Sequence, residues 1–459
     1  MQSHDNLAPV MSGISPTPHR VGTPADSETD IGTRIHALAA RLFPICRSIT
    51  GDGVRETLGI LGQHIDLTQH EIPTGTQVFD WVVPPEWNIR DAYIKDASGR
   101  KIINLAESNL HVVSYSNPIH RIMQLSELKA HIHTLPDQPD LIPYRTSYYS
   151  EQWGLCMSHN TFLALEDGDY EVLIDAEKTV GHLTYGEYLH KGTSDKEVLL
   201  SAHICHPSLA NDNCSSLALL TMLGKTMRAR NTHYSYRFLF APGTIGALSW
   251  LAENEARVGR IDHGLIVSCV GDGGGPTYKR SRLGNATIDR AMESVLCTGN
   301  RQAIMQDFSP YGYDERQYCS PGFNLPVGLF QRSGFGTFPE YHTSADNMTF
   351  ITPENLALSF RIITEVIDIL ETNWTPVNLF PKGEPQLGRR GLYASLGGDK
   401  SAGQTSMAFL WVLNLADGAH SLLDISLRSG LPYTDIFHAA QLLLAKGLLR
   451  NGPNKTAKH

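Results

Sequence analysis

The pattern of apolar and polar positions changes character along the chain. From about Ile31 to Leu67, apolar residues recur at helical spacing in TRIHALAARLF and VRETLGILGQHI, with the glycines of SITGDG between them. From about 78 to 192, short segments typical of β-strands are interrupted by Pro, Gly and Asn. The first region predicts helices that open a domain, and the second predicts a β-rich insertion.

Beyond residue 192, near-continuous apolar runs alternate with helical patterns. EVLLSAHI, YRFLFAP and HGLIVSCVGD are typical of strands buried on both faces, and the segments between them have helical period. This alternation predicts a mixed, mainly parallel sheet with crossover helices. We therefore assign residues 31–77 and 193–380 to one α/β core. Ligands of such sheets bind beyond the carboxyl ends of the strands.

The two ends of the chain differ from this core. Residues 1–30 are rich in Ser, Thr, Pro and Gly and predict a disordered tail. Residues 385–459 predict three short helices with glycine stops, a spacing typical of a winged-helix domain. This domain carries a charge of +4, but its third helix contains only Asp435 and Lys446 as charged residues. That composition favours a packing or partner-binding role over DNA recognition.

Composition narrows the classes of partner. The chain has 41% apolar residues, 19% charged residues and a formal net charge of −9, which argues against general binding to nucleic acid or to an anionic membrane. The sequence contains neither a secretory signal nor an apolar run long enough to span a bilayer. Its seven cysteines include no CxxC pair. We expect a cytoplasmic protein with a small-molecule or peptide-like substrate, and a homo-oligomer is possible.

Potential metal ligands follow the buried runs. His203 ends one run, Asp212 precedes the next helix, Asp272 ends another run, and His342 lies in the later loop PEYHTSADN. Each residue alone is also explained by packing or helix capping. Their common position at one edge of the sheet favours a site for zinc or another divalent ion, because imidazole and carboxylate are suitable ligands.

Several long motifs resemble a known family. SAHICHPSLANDN, TIGALSWL, VGDGGG, SPYGYDERQYCSPGFNLPVG and PEYHTSADN are similar to segments of bacterial aminopeptidase-like proteins, which are related to co-catalytic zinc aminopeptidases. The similarity extends from about residue 33 to the end. It implies a phosphorylase/hydrolase-like α/β core with a small inserted β domain and a C-terminal winged helix.

The resemblance also implies roles for the candidate ligands. His203, Asp212 and Asp272 would surround one metal ion, and Asp212 would also face a second site completed by His342. The site would then hold one or two zinc ions. In the related aminopeptidases a glutamate takes a proton from the metal-bound water that attacks the substrate carbonyl.

The sequence departs from the related peptidases at two positions. Cys205 replaces the aspartate that accepts the remaining N–H of the first histidine, and Gly243 replaces the glutamate. We expect Glu315, with Asp314 beside it, to act as the substitute catalytic carboxylate, because a glycine at position 243 leaves space. A local ion-pair cluster around residues 314–316 is an equally good interpretation.

Cationic and aromatic residues are candidates for substrate binding. Clustered cations can bind a carboxylate or phosphate, although they more often form a solvated face. The candidates are Arg316, Tyr313, Tyr341 and Arg282, with Lys279, Arg280 and Arg332 as further cations.

Three functions remain open from the sequence. The first is a zinc-dependent amide hydrolase of aminopeptidase type that acts on a small aminoacyl or peptide-like metabolite. The second is a metal-binding protein that has lost peptidase activity and binds a ligand, or catalyses acyl transfer or cyclisation, in polysaccharide or specialised-metabolite biosynthesis. The third is a winged-helix regulator, against which the apolar third helix argues.

Overall fold

A computed structural model of the 459-residue chain describes residues 28–298, 302–392 and 400–452. Nearly all of the predicted tail, residues 1–30, lies outside the described residues. In the parts of the chain that the structure describes, no helix combines the length and the apolar character needed to span a membrane. The α-helices in these parts are α1 Glu28–Leu42, α2 Asp52–Gly62, α3 Leu125–Leu128, α4 His159–Leu163, α5 Ser215–Met227, α6 Ile245–Asn254, α7 Thr287–Cys297, α8 Glu315–Tyr318, α9 Pro353–Thr372, α10 Lys400–Leu415, α11 Leu422–Ser429 and α12 Tyr433–Ala445.

The strands form one large sheet and several small ones. They are β1 Thr68–Pro73, β2 Gln77–Val78, β3 Trp81–Val82, β4 Glu86–Lys95, β5 Lys101–Asn104, β6 Ile119–Gln124, β7 Ile132–His133, β8 Leu155–Cys156, β9 Asp169–Thr179, β10 His182–His190, β11 Glu197–His203, β12 Ser235–Ala241, β13 Ile261–Val267, β14 Thr277–Lys279, β15 Ile304–Gln306, β16 Val327–Gln331, β17 Pro376–Asn378 and β18 Leu449–Asn451.

The large sheet has the strand order β1-β10-β12-β11-β13-β16-β14-β15. Its four central strands, β12, β11, β13 and β16, are parallel to one another, whereas β1, β10 and β14 introduce antiparallel pairs. Every residue of β11 and β12 is buried, as their unbroken apolar runs predict. The predicted α/β core with a mixed, mainly parallel sheet is therefore confirmed.

Alternating side chains of the central strands build two separate cores. On β12, Phe238 and Phe240 point to one face, and Leu239 and Ala241 point to the other. The first core also contains apolar side chains of α1, α5, α7 and α9 and of the C-terminal helices α10, α11 and α12. The second contains side chains of α6 and of the sheet formed by β5, β4, β9 and β6. Helices cover both faces of the large sheet. The C-terminal unit adds to the first core, and the inserted β unit adds to the second.

The insertion begins and ends differently from the sequence prediction. The separate four-stranded sheet consists of strands between Glu86 and Thr179. Strand β10, which the prediction placed in the insertion of residues 78–192, pairs with both β1 and β12. It therefore belongs to the large sheet, and its mixed pattern of exposed and buried positions reflects a place near the sheet's edge.

The C-terminal unit begins before the predicted boundary at residue 385. Strand β17, Pro376–Asn378, pairs with the final strand β18 and closes the wing. Helix α11 docks on α7 of the core through the ion pair between Arg290 and Asp424 and a contact between Ser294 and Ser426. The third helix, α12, buries Ile436, Ala439, Ala440 and Leu443, which is consistent with the packing role that its composition favours.

A buried arginine links three strands of the large sheet. The guanidinium of Arg237 on β12 donates two hydrogen bonds to Glu197 on β11, at 2.6 and 2.9 Å, and it also pairs with Glu187 on β10. Arg237 is only 6% exposed and Glu197 only 7%. Because both partners have left water, each charge depends on the other for stabilisation.

We predict that Arg237→Met lowers the free energy of unfolding by about 3 to 5 kcal/mol, because Glu197 would remain buried without its partner. The matched control is Arg90→Met, which removes an arginine from a solvent-exposed pair with Asp175 and should leave the unfolding midpoint unchanged. Chemical unfolding of the full chain followed by fluorescence measures both. Equal effects of the two substitutions would contradict the role assigned to the buried network.

Candidate metal centre

Three elements bring the candidate residues to one edge of the large sheet. Strand β11 ends at His203, and a kinked turn, Ala210–Cys214, places Asp212 just before α5. His342 lies in the long loop between β16 and α9. Because β11 lies between its parallel neighbours β12 and β13, the carboxyl ends of these strands meet at the same edge. The sequence prediction that His203, Asp212 and His342 lie together is consistent with this geometry.

The carboxylate of Asp212 is at the centre of the cluster. His203 Nε2 lies 2.7 Å from Asp212 Oδ1, and His342 Nε2 lies 3.2 Å from Oδ2. A third imidazole, that of His206, has its Nε2 3.9 Å from Oδ2. The ligand atoms of His203, His206 and Asp212 all lie within 4.8 Å of one another. Three imidazoles therefore surround one buried carboxylate.

Burial and charge set the protonation states in this cluster. Asp212 is 1% exposed. Burial disfavours its charged form, but the imidazoles of His206, His203 and His342 outweigh burial and hold the pKa of Asp212 well below its usual range. Burial lowers the pKa of His206 well below its ordinary value, against the attraction of Asp212. Asp212 is therefore ionised and His206 neutral at neutral pH, the states that a metal ion requires of its ligands.

Asp346 fixes the backbone that carries Asp212. Its carboxylate accepts hydrogen bonds from the amides of Asn211 at 2.6 Å and Asp212 at 3.0 Å. Burial raises the pKa of Asp346 to about 7, although these backbone hydrogen bonds favour its charged form. Asp346 lies four residues after His342, so one loop supplies both a candidate ligand and the group that orients Asp212.

The inserted β unit holds His342 in place. The amide of Tyr144 donates to the carbonyl of His342 at 2.8 Å, and a β-bridge joins Pro143 to Thr343. The Tyr144 ring also packs against the imidazoles of His342 and His206, with ring centroids 5.0 and 5.1 Å apart. The insertion therefore forms one wall of the site.

The fourth candidate ligand, Asp272, is held by hydrogen bonds from neighbouring residues. Its two oxygens accept hydrogen bonds from Asn211 Nδ2 at 2.8 Å, the amide of Gly274 at 2.6 Å and Ser333 Oγ at 2.6 Å, with the Ser333 amide at 3.4 Å. A carboxylate offers about four lone-pair positions, so these donors occupy them. Carboxylates that ligate metal ions are commonly hydrogen-bonded in this way. The expectation that Asp272 shares an ion with His203 and Asp212 therefore stays a prediction.

The space beside Gly243 is not empty. A Cβ atom at Gly243 would overlap the ring of Tyr313, so the expectation that this glycine leaves room for the Glu315 carboxylate is wrong. Glu315 is fully buried, forms an ion pair with Lys279 and accepts a hydrogen bond from the amide of Tyr313 at 3.0 Å. Its contacts are those of a residue that holds the loop, the alternative that the sequence left open. A catalytic role for Glu315 has no geometric support.

Asp314 and Cys205 are buried groups next to Tyr313 in the sequence or in space. Asp314 is 1% exposed, its Oδ1 has no hydrogen-bond partner within the described residues, and burial together with Glu315 raises its pKa well above the ordinary value. This shift favours the protonated form of Asp314 and makes it a poorer proton acceptor. Burial raises the pKa of Cys205 to about 12, and its Sγ lies 3.2 Å from the Tyr313 hydroxyl. The partner of His203 Nδ1 is Asn213, whose Nδ2 lies 3.2 Å away, and not Cys205.

The candidate substrate-binding residues separate into two groups. Tyr313 and Tyr341 line the site: Tyr313 lies over His203, with ring centroids 4.0 Å apart, and Tyr341 stacks on His342 at 3.9 Å. Arg316 is exposed, and Arg282 donates to Asn324 on the surface at 2.7 Å. These two arginines are not part of the cluster around Asp212.

Sequence reasoning missed four residues of the site. His206 follows His203 by three positions, a spacing that could have been noticed as a second imidazole of the same loop. Asp346 had a weaker signal, its closeness to His342 in the motif HTSADN. Asn213 and Tyr144 had no signal, because their positions depend on the kinked turn before α5 and on the docking of the insertion.

The donor set fits a single divalent ion. Imidazole nitrogens and one carboxylate are ligands that zinc prefers, and the low pKa of Asp212 keeps this carboxylate in the ionised state that binding requires. Position 243 carries a glycine, and the Asp272 carboxylate accepts hydrogen bonds from Asn211, Gly274 and Ser333. We therefore expect one ion rather than two.

Comparison with known proteins identifies the family. A family model described as a domain of unknown function, DUF4910, matches residues 36–373, and a winged helix-turn-helix model matches residues 374–451. The chain belongs to the DUF4910 family. The second match confirms the C-terminal winged helix and places its start near strand β17.

Relatives of this DUF4910 chain have an aminopeptidase-like fold. A Clostridium acetobutylicum protein, provisionally named as a polysaccharide biosynthesis protein with an aminopeptidase-like domain, is 49% identical over 92% of this chain and 98% of its own length. A crystal structure of a provisionally named peptidase from the same organism has 48% identity, covers 92% of this chain and 97% of its own, and gives a TM-score of 0.88. A zinc aminopeptidase from Bacillus subtilis shares the fold at 11% identity, with 74% and 94% coverage and a TM-score of 0.55. The resemblance to aminopeptidase-like proteins is confirmed.

We predict that, after refilling with zinc, the wild-type chain holds about one ion and that His203→Ala and His342→Ala lose most of it. Asp272→Asn should keep the ion, because the Asp272 carboxylate is committed to Asn211, Gly274 and Ser333. His111→Ala removes a buried histidine outside the site and is the control. Elemental analysis of the folded fraction measures all four. Equal zinc losses in Asp272→Asn and His342→Ala would contradict this ligand assignment.

Proposed function

We propose that the protein is a metal-dependent amide hydrolase of aminopeptidase type that uses one zinc ion and acts on a small aminoacyl or peptide-like metabolite. The observation that carries this proposal is the convergence of three imidazoles on the buried carboxylate of Asp212 at the carboxyl edge of the sheet. The aminopeptidase-like fold supports the same conclusion, because it is the fold of known zinc peptidases.

His203, Asp212 and His342 would hold the ion, since the imidazoles of His203 and His342 each lie within hydrogen-bonding distance of the Asp212 carboxylate. When bound, zinc polarises a carbonyl oxygen and makes a water molecule more acidic. Asp346 keeps the Asp212 backbone in place, and Tyr341 stacks on His342 and limits the rotation of its ring. These residues position the ligands and do not react themselves.

His206 is our candidate for the proton acceptor in place of the missing glutamate. Its Nε2 is close to the ligand carboxylate but farther from it than the Nε2 atoms of the other two histidines, at 3.9 Å. Burial keeps the imidazole neutral by lowering its pKa, so one ring nitrogen has a lone pair available at neutral pH. In this assignment that nitrogen is Nε2, which accepts a proton from the attacking water, and the buried Asp314 and Glu315 take no part.

A second function is favoured by the position of Tyr313. The ring of this residue occupies the space beside Gly243 where relatives place the glutamate. A site without that carboxylate could use a substrate amine instead of water, as in acyl transfer or cyclisation, or could only bind its ligand. The provisional name of the Clostridium acetobutylicum relative refers to polysaccharide biosynthesis, which is compatible with an amino-sugar derivative as the amine or the amide.

We predict that zinc-loaded wild-type protein hydrolyses at least one member of a panel of aminoacyl amides, and that chelation abolishes this turnover. His206→Gln should lower kcat by about 10² to 10⁴ because it removes the general base, while the zinc content stays unchanged. Loss of zinc in His206→Gln would mean that this residue is a ligand instead. Full zinc occupancy without hydrolysis of any amide would favour the second function.

We predict that Gly243→Glu alone disrupts the site, because the new side chain would overlap Tyr313, whereas Gly243→Glu combined with Tyr313→Ala restores room for a carboxylate. If the missing glutamate limits hydrolysis, the double variant should turn over aminoacyl amides faster than Tyr313→Ala alone. Steady-state rates of the wild type and the three variants, at equal zinc content, measure the effect. No gain in the double variant would indicate that the chain does not depend on a carboxylate at this position.

A further inference from the structure

Arg332 differs from the other cationic residues that the sequence analysis proposed for substrate binding. Lys279 pairs with Glu315 and donates to the carbonyls of Ser309 and Tyr311, and Arg280 pairs with Glu293. Arg282 and Arg316 are exposed. Arg332 is only 5% exposed, and within the described residues its Nε and Nη1 are enclosed without any hydrogen-bond partner.

An unpaired guanidinium inside a protein is costly. Buried polar atoms are almost always hydrogen-bonded, and a buried charge is normally paired. Arg237 illustrates the usual arrangement in this same chain, because it is 6% exposed and satisfied by two glutamates. Arg332 has nearly the same burial without such partners. This difference indicates that its partner is a molecule outside the chain.

Arg332 lies at the same edge of the large sheet as the metal centre. Arg332 follows β16, at the carboxyl edge of the sheet, and its amide donates to the carbonyl of Cys269 at 2.9 Å. Asp272 attracts the guanidinium electrostatically, but its oxygens are occupied by Asn211, Gly274 and Ser333. The charge of Arg332 is therefore only partly balanced by the protein.

A glycine loop lies against the same segment. A Cβ on Gly274 would lie 3.2 Å from the amide nitrogen of Ser333, next to Arg332, and nothing lies within 4 Å of the corresponding position on the exposed Gly273. Within the described residues, the amides of Gly273 and Gly275 donate no hydrogen bond. Backbone amides in glycine loops are a common part of anion sites.

We propose that Arg332 binds an oxyanion, a carboxylate or a phosphate, that the substrate carries next to its amide. That this oxyanion belongs to a substrate rests on the proposed function, whereas binding of the anion at Arg332 does not require the metal ion. Arg is suited to this task, because its planar guanidinium forms paired, charge-assisted hydrogen bonds with both groups. The substrate class is then an acidic aminoacyl compound or a phosphorylated metabolite.

The experiment uses the full chain after metal removal, in a buffer that contains a chelator, with inorganic phosphate or acetate titrated at constant ionic strength. The thermal unfolding midpoint is followed for the wild type, Arg332→Met, Arg332→Lys and the control Arg90→Met. Because no metal is present, failure of the metal proposal does not affect the outcome. The larger response, to phosphate or to acetate, identifies the class of oxyanion.

We predict that either anion raises the midpoint of the wild type and of Arg90→Met. Arg332→Met should bind the anion roughly tenfold or more weakly, with Arg332→Lys in between. Without anion, Arg332→Met should be at least as stable as the wild type, since it removes an unpaired buried charge. A less stable or unfolded Arg332→Met would indicate that Asp272 is the true partner and would overturn the proposal. Anion responses that are absent, or equal in wild type and Arg332→Met, would also overturn it.

Discussion

The carboxylate of Asp212 is the feature on which the site depends. A charge with 1% exposure is stable only if the surroundings compensate for lost water, and here three imidazoles provide that compensation. The arrangement combines the α/β core with the inserted β unit. Strand β11 supplies His203, the turn before α5 supplies Asp212, and the loop after β16 supplies His342 and the supporting Asp346. The inserted β unit holds that loop in place through the hydrogen bond from the Tyr144 amide to the His342 carbonyl.

The same physical reasoning explains what the sequence could predict. Buried parallel strands are recognisable as unbroken apolar runs, and polar residues that end them meet at one edge, so the core sheet and the meeting of His203, Asp212 and His342 followed from the sequence. The resemblance supplied the winged helix, which the family match confirms. The boundaries of the inserted β unit and of the winged helix were harder to predict from the sequence, because β10 and β17 pair with strands that are distant in the sequence.

The details that decide the chemistry could not be predicted in this way. Asp272 has the right position in the sequence, but its lone pairs are taken by Asn211 and Ser333, which only the folded chain brings near. Gly243 suggested free space, yet the ring of Tyr313, seventy residues away in the sequence, occupies it. His206 was overlooked because its ring direction depends on the loop after β11. Local sequence identifies the edge of the site, whereas contacts between distant segments determine which groups remain available.

Contacts between distant segments also define the surroundings of the cluster. Asp272 accepts a hydrogen bond from Ser333, the Tyr313 ring fills the space beside Gly243, and two nitrogens of Arg332 have no hydrogen-bond partner within the described residues. The most direct test is anomalous diffraction at the zinc absorption edge from crystals of the full chain grown with zinc. Our account predicts one anomalous peak in bonding contact with His203, Asp212 and His342. A peak bonded to Asp272, or no peak at Asp212, would contradict it.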